Sequence, residues 1–575
     1  MLHQAAPSQA DSNAQMAGTP LVSPATTALA DDCTPGVSAT RWRLWHLSVG
    51  LVLPMALIVW NMVAVRAFTV DDAYISFRYA RNLSRGLGLV YNVGERVEGY
   101  TNFLWTVLIA AGFKLNLHPE IVAKWLGGGA ACVSLGMVYV LSRRIRPFGV
   151  IPCVATWLMA TSMVQTGYAM FGLETAFFTC LVLVGLELLL RERDRGRGFP
   201  FSAVAFGLAG LTRPEAPMFI GLPMLFLGRG IIGRQNVLRG LVFTAIVGAH
   251  LLWRHAYYGS WLPNTLSAKT GDIVQQLRNG RAYFLSYGDH AIPAMLLTVL
   301  GVCALVIFSA RQRRGQGADP VVADTLPRVN LKDGVCLLTL MAFVAAYVML
   351  VGGDWMPYYR FLAPFEPFAF VIACLGARAW GESALALAGS SVRSAASPQF
   401  RRTVAGVAVA LVLSIVGAVR TERLLSAQES MLRGEKAFWD SAAGGVAYWL
   451  VTDGQQGEVA LGDIGFVGYE TDYPILDLLG LVDPVISKLP GGYTRKTGSG
   501  YVARVFDKSP KYFVFVGTAD CRRMAFPAQE ELRLDPRFQG AYRLAGAVRH
   551  TMGGVWCIFE RHAPPGPQAR AGAAR

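Results

Sequence analysis

The chain has 575 residues, of which 53% are hydrophobic and 16% charged, with a formal net charge of +15. Soluble domains carry about 25% charged residues, so this composition excludes an ordinary soluble enzyme and indicates a polytopic membrane protein. Much of the positive charge falls in short clusters between apolar runs, which is the pattern of cytoplasmic loops and not of a nucleic-acid binder. The histidines are scattered, with no HExxH-like pair, and the cysteines have no zinc spacing, so no metal site is expected. No cofactor is required on this reading, and nothing supports a divalent cation.

Residues 1–40, rich in Ala, Ser, Thr and Pro, read as a disordered cytoplasmic tail. Arg41 and Arg43 precede an apolar run over 44–65, and acidic residues follow it. That asymmetry places the N-terminus in the cytoplasm and the next loop outside. The outer loop 66–102 opens its polar run with Asp71 and Asp72 and continues through Tyr74, Arg78, Glu98, Tyr100 and Asn102. Charge this close to a membrane boundary is a functional signal. The stretch 103–115 is short for a span and reads as re-entrant or interfacial. Spans are expected at 121–141, 150–168 and 171–190, with Glu174 in the outer turn between the last two.

The apolar stretch 199–228 is interrupted by Thr212-Arg-Pro-Glu-Ala-Pro217. Two prolines there must break helical hydrogen bonding, so two half-helices should meet at Arg213 and Glu215. Broken helices at membrane depth survive where they line a cavity. The run 241–256 leads to an outer loop carrying Asn264 and Lys269, and 335–351 leads to another carrying Asp354 and Arg360. Further crossings at 291–310, 361–377 and 404–419 give about eleven spans, with the C-terminus outside. The membrane domain is then 41–423. Residues 424–562 read as an outer α/β domain with short strands near 459–461, 474–477 and 512–516. Its two cysteines, Cys521 and Cys557, are a disulfide candidate in an oxidising compartment. Residues 563–575 read as a disordered tail.

This topology sorts the unusual side chains. Asp71, Asp72, Arg78, Glu98, Glu174, Arg213, Glu215, Asn264, Lys269, Asp354 and Arg360 come from five separate loops and fall on one membrane face. A carboxylate there can take a proton from a hydroxyl. Arginine and lysine can neutralise a departing phosphate. A lipid-phosphate donor entering from the bilayer would explain a reactive loop directly after a span.

The blocks VDDAYISFRYARNLSRGLGLVYNVGERVEGYTNFLW, FGLETAFF, LTRPEAP, YYGSWLPNTLSAK, GGDWMPYYRFLAPFEP and DIGFVGYETDYPILDLLGLVDP occur in that order. Together they resemble the bacterial GT-C glycosyltransferases similar to the mycobacterial terminal β-(1→2)-arabinofuranosyltransferase. The resemblance runs from about Ala64 to Pro484 and implies a polytopic GT-C fold with a periplasmic C-terminal domain, in a bacterial inner membrane. It implies a polyprenyl-phosphate sugar donor and a periplasmic glycan, lipid or protein acceptor, with membrane lipids around it. Asp71 and Asp72 match the acidic pair where the general base is expected, with Asp71 taking the proton and Asp72 orienting the acceptor or holding the loop. By charge, Arg78, Arg213, Lys269 and Arg360 are expected at the donor phosphate. Tyr74, Glu98, Tyr100, Asn102, Glu174, Glu215, Asn264 and Asp354 are expected to line donor or acceptor. Two other classes stay open on the residues alone. A transporter or flippase of a lipid-linked sugar would show internal repeats and mid-membrane charges. A non-catalytic scaffold would leave the one-sided charges without a reason.

Overall fold

Among the described residues, helices, most of them apolar, make up the part before residue 375, and a mixed sheet with helices makes up the part from 429 onward. The computed structural model describes residues 44, 46–145, 151–227, 232–269, 273–313, 331–374, 429–491 and 496–562. The N-terminal tail, the crossing expected at 404–419 and the C-terminal tail lie outside the described residues. His46–Arg575 form one compact unit.

Among the described residues, four helices are long and apolar enough to cross a membrane: Ser48–Val65, Pro119–Arg144, Arg234–Tyr258 and Lys332–Val351. The pair Met163–Met170 and Thr175–Arg195, bent by 117°, makes a fifth if taken as one span. The expected number near eleven included pieces that are short or interrupted. The stretch 150–168 divides into Ile151–Ala160 and Met163–Met170. The stretch 103–115 is the 12-residue helix Phe103–Lys114. The stretch 199–228 parts into Phe201–Gly210 and Ala216–Leu227, with Arg213 and Glu215 at the break. Leu104 N–H donates to the Leu211 carbonyl at 2.9 Å, which pins the start of helix Phe103–Lys114 to that break.

Five strands form the sheet: β1 (Val459–Leu461), β2 (Ile475–Asp477), β3 (Tyr512–Gly517), β4 (Tyr542–Arg549) and β5 (Val555–Arg561). Their order is β2-β1-β3-β5-β4. β2, β1 and β3 are parallel, whereas β5 pairs antiparallel with β3 and β4. Alternate side chains serve opposite faces, as strand geometry requires. One face carries Ala460, Phe513, Phe515 and Phe559 against the helices Ser499–Lys508 and Pro527–Leu534. A disulfide joins Cys557 of β5 to Cys521. The other face carries Val459, Leu461, Val514 and Ile558, and it packs on Ile75, Tyr79, Leu89, Tyr91 and Tyr100 of the first outer loop. Each such buried side chain contributes roughly 1.5–3 kcal/mol. The loop is therefore one wall of the C-terminal domain's core.

Candidate active site

The first outer loop supplies the helix Asp71–Ser84, whose N-terminal residue follows an extended Val70. Val70 N–H donates to the Phe171 carbonyl at 3.1 Å, which fixes the helix start against the bend before Thr175–Arg195. Gly172 permits that approach. Its φ is +90°, and a Cβ there would lie 2.9 Å from the Cβ of Ala73. Two carboxylates in the first turn complement the helix dipole. As adjacent helical residues they point about 100° apart, and the surroundings divide accordingly.

Asp71 is 5% exposed. Its carboxylate accepts from Gly465 N–H at 3.0 Å and from Phe466 N–H at 2.7 Å, both in the C-terminal domain. Asp72 faces the other way, toward Lys269, Arg360, Asp354 and Glu174. Behind it, Arg213 at the helix break pairs with Glu174 at 2.9 Å and Glu215 at 2.5 Å. Glu174 also accepts from Asn102 Nδ2 at 2.8 Å, and Asn102 meets Ser76 of the loop helix. Arg360 pairs with Asp354 at 2.7 Å. The chain between them passes through Tyr358 and Tyr359 at φ of +65° and +53°. Such backbone costs of order 1–3 kcal/mol per residue and collects at functional sites.

Asp72, Asp463 and Lys269 lie deep among protein atoms, yet each keeps accessible surface, Lys269 most of all. These partly accessible charges outline the polar recess beside Asp72. Burial raises the Asp72 carboxyl above its ordinary range; Lys269 and Arg360 pull it back, while Asp354 and Glu174 push it further up. Burial lowers the Lys269 ammonium, and Asp72 partly restores it. Asp71 is pushed up to about 8, first by burial and then by Asp463. Asp463 rises to about 6 by burial and by Asp72. Among the described residues, no group of three or more His, Cys, Asp or Glu is arranged to hold a metal ion.

Several expected site residues have structural duties instead. Arg78 does not reach the recess. Arg78 is 2% exposed, and its guanidinium donates to the carbonyls of Tyr91, Gly468 and Tyr473 at 2.9, 2.6 and 2.8 Å. Tyr74 donates to Glu120 at 2.6 Å and sets its ring on Phe466. Glu98 is buried against Arg254 at 2.7 Å. Tyr100 meets the hydroxyl of Tyr258 at 3.1 Å. Asn264 donates to the carbonyls of Gly480 and Leu481, both at 2.9 Å, and so anchors the short helix that carries Lys269. The remaining residues, Asp72, Asn102, Glu174, Arg213, Glu215, Lys269, Asp354 and Arg360, form one connected polar group.

Sequence reasoning passed over Asp463 and Glu366. Both stand inside motif blocks quoted above but received no role. Glu366 is buried and accepts from Ser162, Gln165 and Tyr287. It borders a cavity of about 320 Å³ lined by Tyr283, Tyr287, Tyr358 and Tyr359, with Asp354 at its edge.

This arrangement of broken apolar helices, a polar recess and an α/β domain packed on the loop helix has the GT-C fold. The crystal structure of the Archaeoglobus fulgidus oligosaccharyltransferase tethered with an acceptor peptide matches at a TM-score of 0.52 with 14% identity, covering 89% of this chain and 74% of that one. ArnT from Cupriavidus metallidurans in the apo state matches at 0.50 with 13% identity, covering 91% and 98%. In sequence, the chain is 31% identical over 333 residues to the terminal beta-(1->2)-arabinofuranosyltransferase of Mycobacterium tuberculosis. That match takes in 52% of this chain and 51% of the relative, so the chain spans about half the length of the curated protein it resembles. Residues 435–563 match a family described as a domain of unknown function, DUF8728.

Proposed function

We propose that this protein is a bacterial inner-membrane glycosyltransferase that moves a pentofuranose, arabinofuranose in the first instance, from a polyprenyl phosphate to a hydroxyl of a periplasmic glycan. The N-terminus is cytoplasmic and the C-terminal domain periplasmic. The observation that carries this reading is that Asp72, which keeps accessible surface, has Lys269 and Arg360 as its leading opposite charges. A base and two cations on opposite sides of one space suit displacement of a phosphate by a hydroxyl. The acceptor oxygen bonds to the anomeric carbon as its proton passes to Asp72. The bond from that carbon to the phosphate oxygen breaks, and the electron pair leaves with the polyprenyl phosphate toward Lys269, Arg360 and Arg213. Asp72 then returns its proton to water.

Asp72, and not Asp71, is the base on this reading, because both oxygens of Asp71 already accept backbone N–H groups. The arabinofuranose assignment rests on the similarity to the mycobacterial protein. The tyrosine-walled cavity beside Asp354 supports a lipid-linked donor by offering the lipid an apolar bed.

The test is transfer by the purified protein in detergent. Labelled polyprenyl-phosphoryl arabinofuranose is supplied with a synthetic arabinofuranosyl oligosaccharide. A lengthened oligosaccharide is expected. Movement of the labelled lipid across a vesicle membrane with no glycosidic product would favour the flippase reading instead.

A further inference from the structure

The helix Asp71–Ser84 and the short helix Gly465–Thr471 run side by side. Asp71 joins their first turns through Gly465 and Phe466. Farther along, Arg78 donates to Gly468 and Tyr473. Arg81 stacks over the Tyr469 ring at 4.2 Å and pairs with Asp472. Tyr91 donates to the Ile464 carbonyl at 2.6 Å. The approach is close enough to need glycine. A Cβ on Gly465 would lie 2.0 Å from the Asp71 carbonyl oxygen, and one on Gly468 would lie 2.0 Å from the Tyr91 hydroxyl. Apart from the Arg81–Asp472 ion pair, the links in this latch are to backbone or to a buried ring, which holds the segment 464–473 against the loop helix.

Asp463 is the residue this seating delivers. It stands two positions before Gly465 and just beyond the end of β1, the middle of the three parallel strands. The carboxyl ends of parallel strands are where open α/β sheets place ligand-binding residues. Its neighbours in charge are Asp71 and Asp72, and it keeps part of its surface accessible. No hydrogen bond or ion pair among the described contacts gives it a structural duty.

We propose that the C-terminal domain completes the transfer site: Asp71 latches the 463–466 turn to the membrane domain, and the Asp463 carboxylate so delivered positions the acceptor sugar by accepting from its hydroxyls beside Asp72. This rests on the glycosyltransferase reading above. It makes Asp463 a positioning residue and Asp71 the pin that places it. It also explains why the first outer loop forms part of the C-terminal domain's core. Asp463 acts on Asp72 within a set of charges comprising Asp71, Glu174, Lys269, Asp354 and Arg360.

The experiment uses the full-length protein with the lipid-linked arabinofuranose and oligosaccharide probes named above, and compares wild type with Asp463→Asn, Asp463→Glu and Asp72→Asn. Losing one hydrogen-bonding carboxylate should raise KM for the oligosaccharide about tenfold or more while KM for the lipid donor stays put. The acid limb of the kcat/KM profile should move to lower pH in Asp463→Asn, because a negative neighbour of Asp72 has gone. Asp463→Glu should recover part of the acceptor affinity. Limited proteolysis should leave the C-terminal domain of each variant as protected as in wild type. If Asp463→Asn is clipped there, Asp463→Ser, which also removes the carboxylate, carries the comparison, and acceptor KM and acid limb both equal to wild type in that variant would overturn the proposal. Wild-type acceptor KM and acid limb in a well-folded Asp463→Asn would overturn it too, while transfer lost in Asp72→Asn would leave the glycosyltransferase reading standing. No transfer by wild type, or full transfer by Asp72→Asn, would instead remove the underlying reading and this proposal with it.

Discussion

Asp71 accepts a hydrogen bond of 2.7 Å from the backbone N–H of Phe466, 395 positions further along the chain. With Gly465 it makes a two-point clasp between the first outer loop and the C-terminal domain. Replacing Asp71 by Ala leaves a buried and a part-buried N–H group without their acceptor. Each costs about 1–3 kcal/mol. The expected result is faster proteolytic release of the C-terminal domain and a fall in transfer that follows the loss of docking. Limited proteolysis and transfer assays on the same preparation check this; a resistant Asp71→Ala protein would show that the clasp is dispensable.

The clasp also predicts how stability varies with pH. Asp71 lies at about 8, and Asp463 and Asp477 at about 6, each raised from 3.8 chiefly by burial. The folded state therefore holds these protons more tightly than the unfolded chain. Their stabilising contribution is complete below about pH 4 and is lost as pH rises through about 6 and then about 8. The apparent Tm should decline between pH 5.5 and 8.5, and Asp71→Asn should flatten the upper part of that decline. Thermal unfolding in detergent across this range is the check, and a Tm that climbs with pH would contradict it.

Gly465 lies under the same clasp. An added methyl would meet Asp71 backbone and carboxylate at 2.0 and 2.5 Å, so one segment must shift. Overpacking of this kind costs roughly 1–3 kcal/mol. Gly465→Ala should therefore reproduce the proteolytic sensitivity of Asp71→Ala while keeping every ionisable group. Gly498, where an added Cβ meets nothing within 4 Å but φ is +101°, serves as a comparison for strain without a clash.

The disulfide between Cys521 and Cys557 closes a separation of 36 residues on the sheet face away from the loop. Its removal by paired Ser substitution should cost about 2–5 kcal/mol. Because that face does not border the recess, transfer at a permissive temperature should stay within about twofold of wild type on the ordinary scale for distant, independent changes. Thermal unfolding and transfer rates together test this. A large loss of transfer without unfolding would mean that the far face communicates with the site.

Much of this was legible in one dimension, and the reasons differ by residue. The break at Arg213 and Glu215 is written into Pro214 and Pro217, because no helix continues through them. The gathering of Glu174, Arg213, Asp354 and Arg360 follows from topology, since alternate loops must share a membrane face. The division between Asp71 and Asp72 is not legible, because it depends on backbone donors nearly four hundred residues away. Arg78 misleads for a related reason: a guanidinium satisfied by carbonyls has the same letter as one that binds phosphate. Glu98, Tyr100 and Asn264 likewise carry polar chemistry that the fold consumes in fastening loops together. Asp463 stands in a recognisable block, yet only the end of β1 brings it to Asp72.

The central claim is that Asp72 takes the acceptor's proton, and transfer by the Asp72→Asn protein tests it most directly. Removal of a general base lowers rates by about 10²–10⁴. The account predicts a loss of that order in kcat, with a Tm and a proteolytic pattern equal to wild type, since Asp72 takes no part in the clasp. Wild-type turnover by a folded Asp72→Asn protein would contradict it.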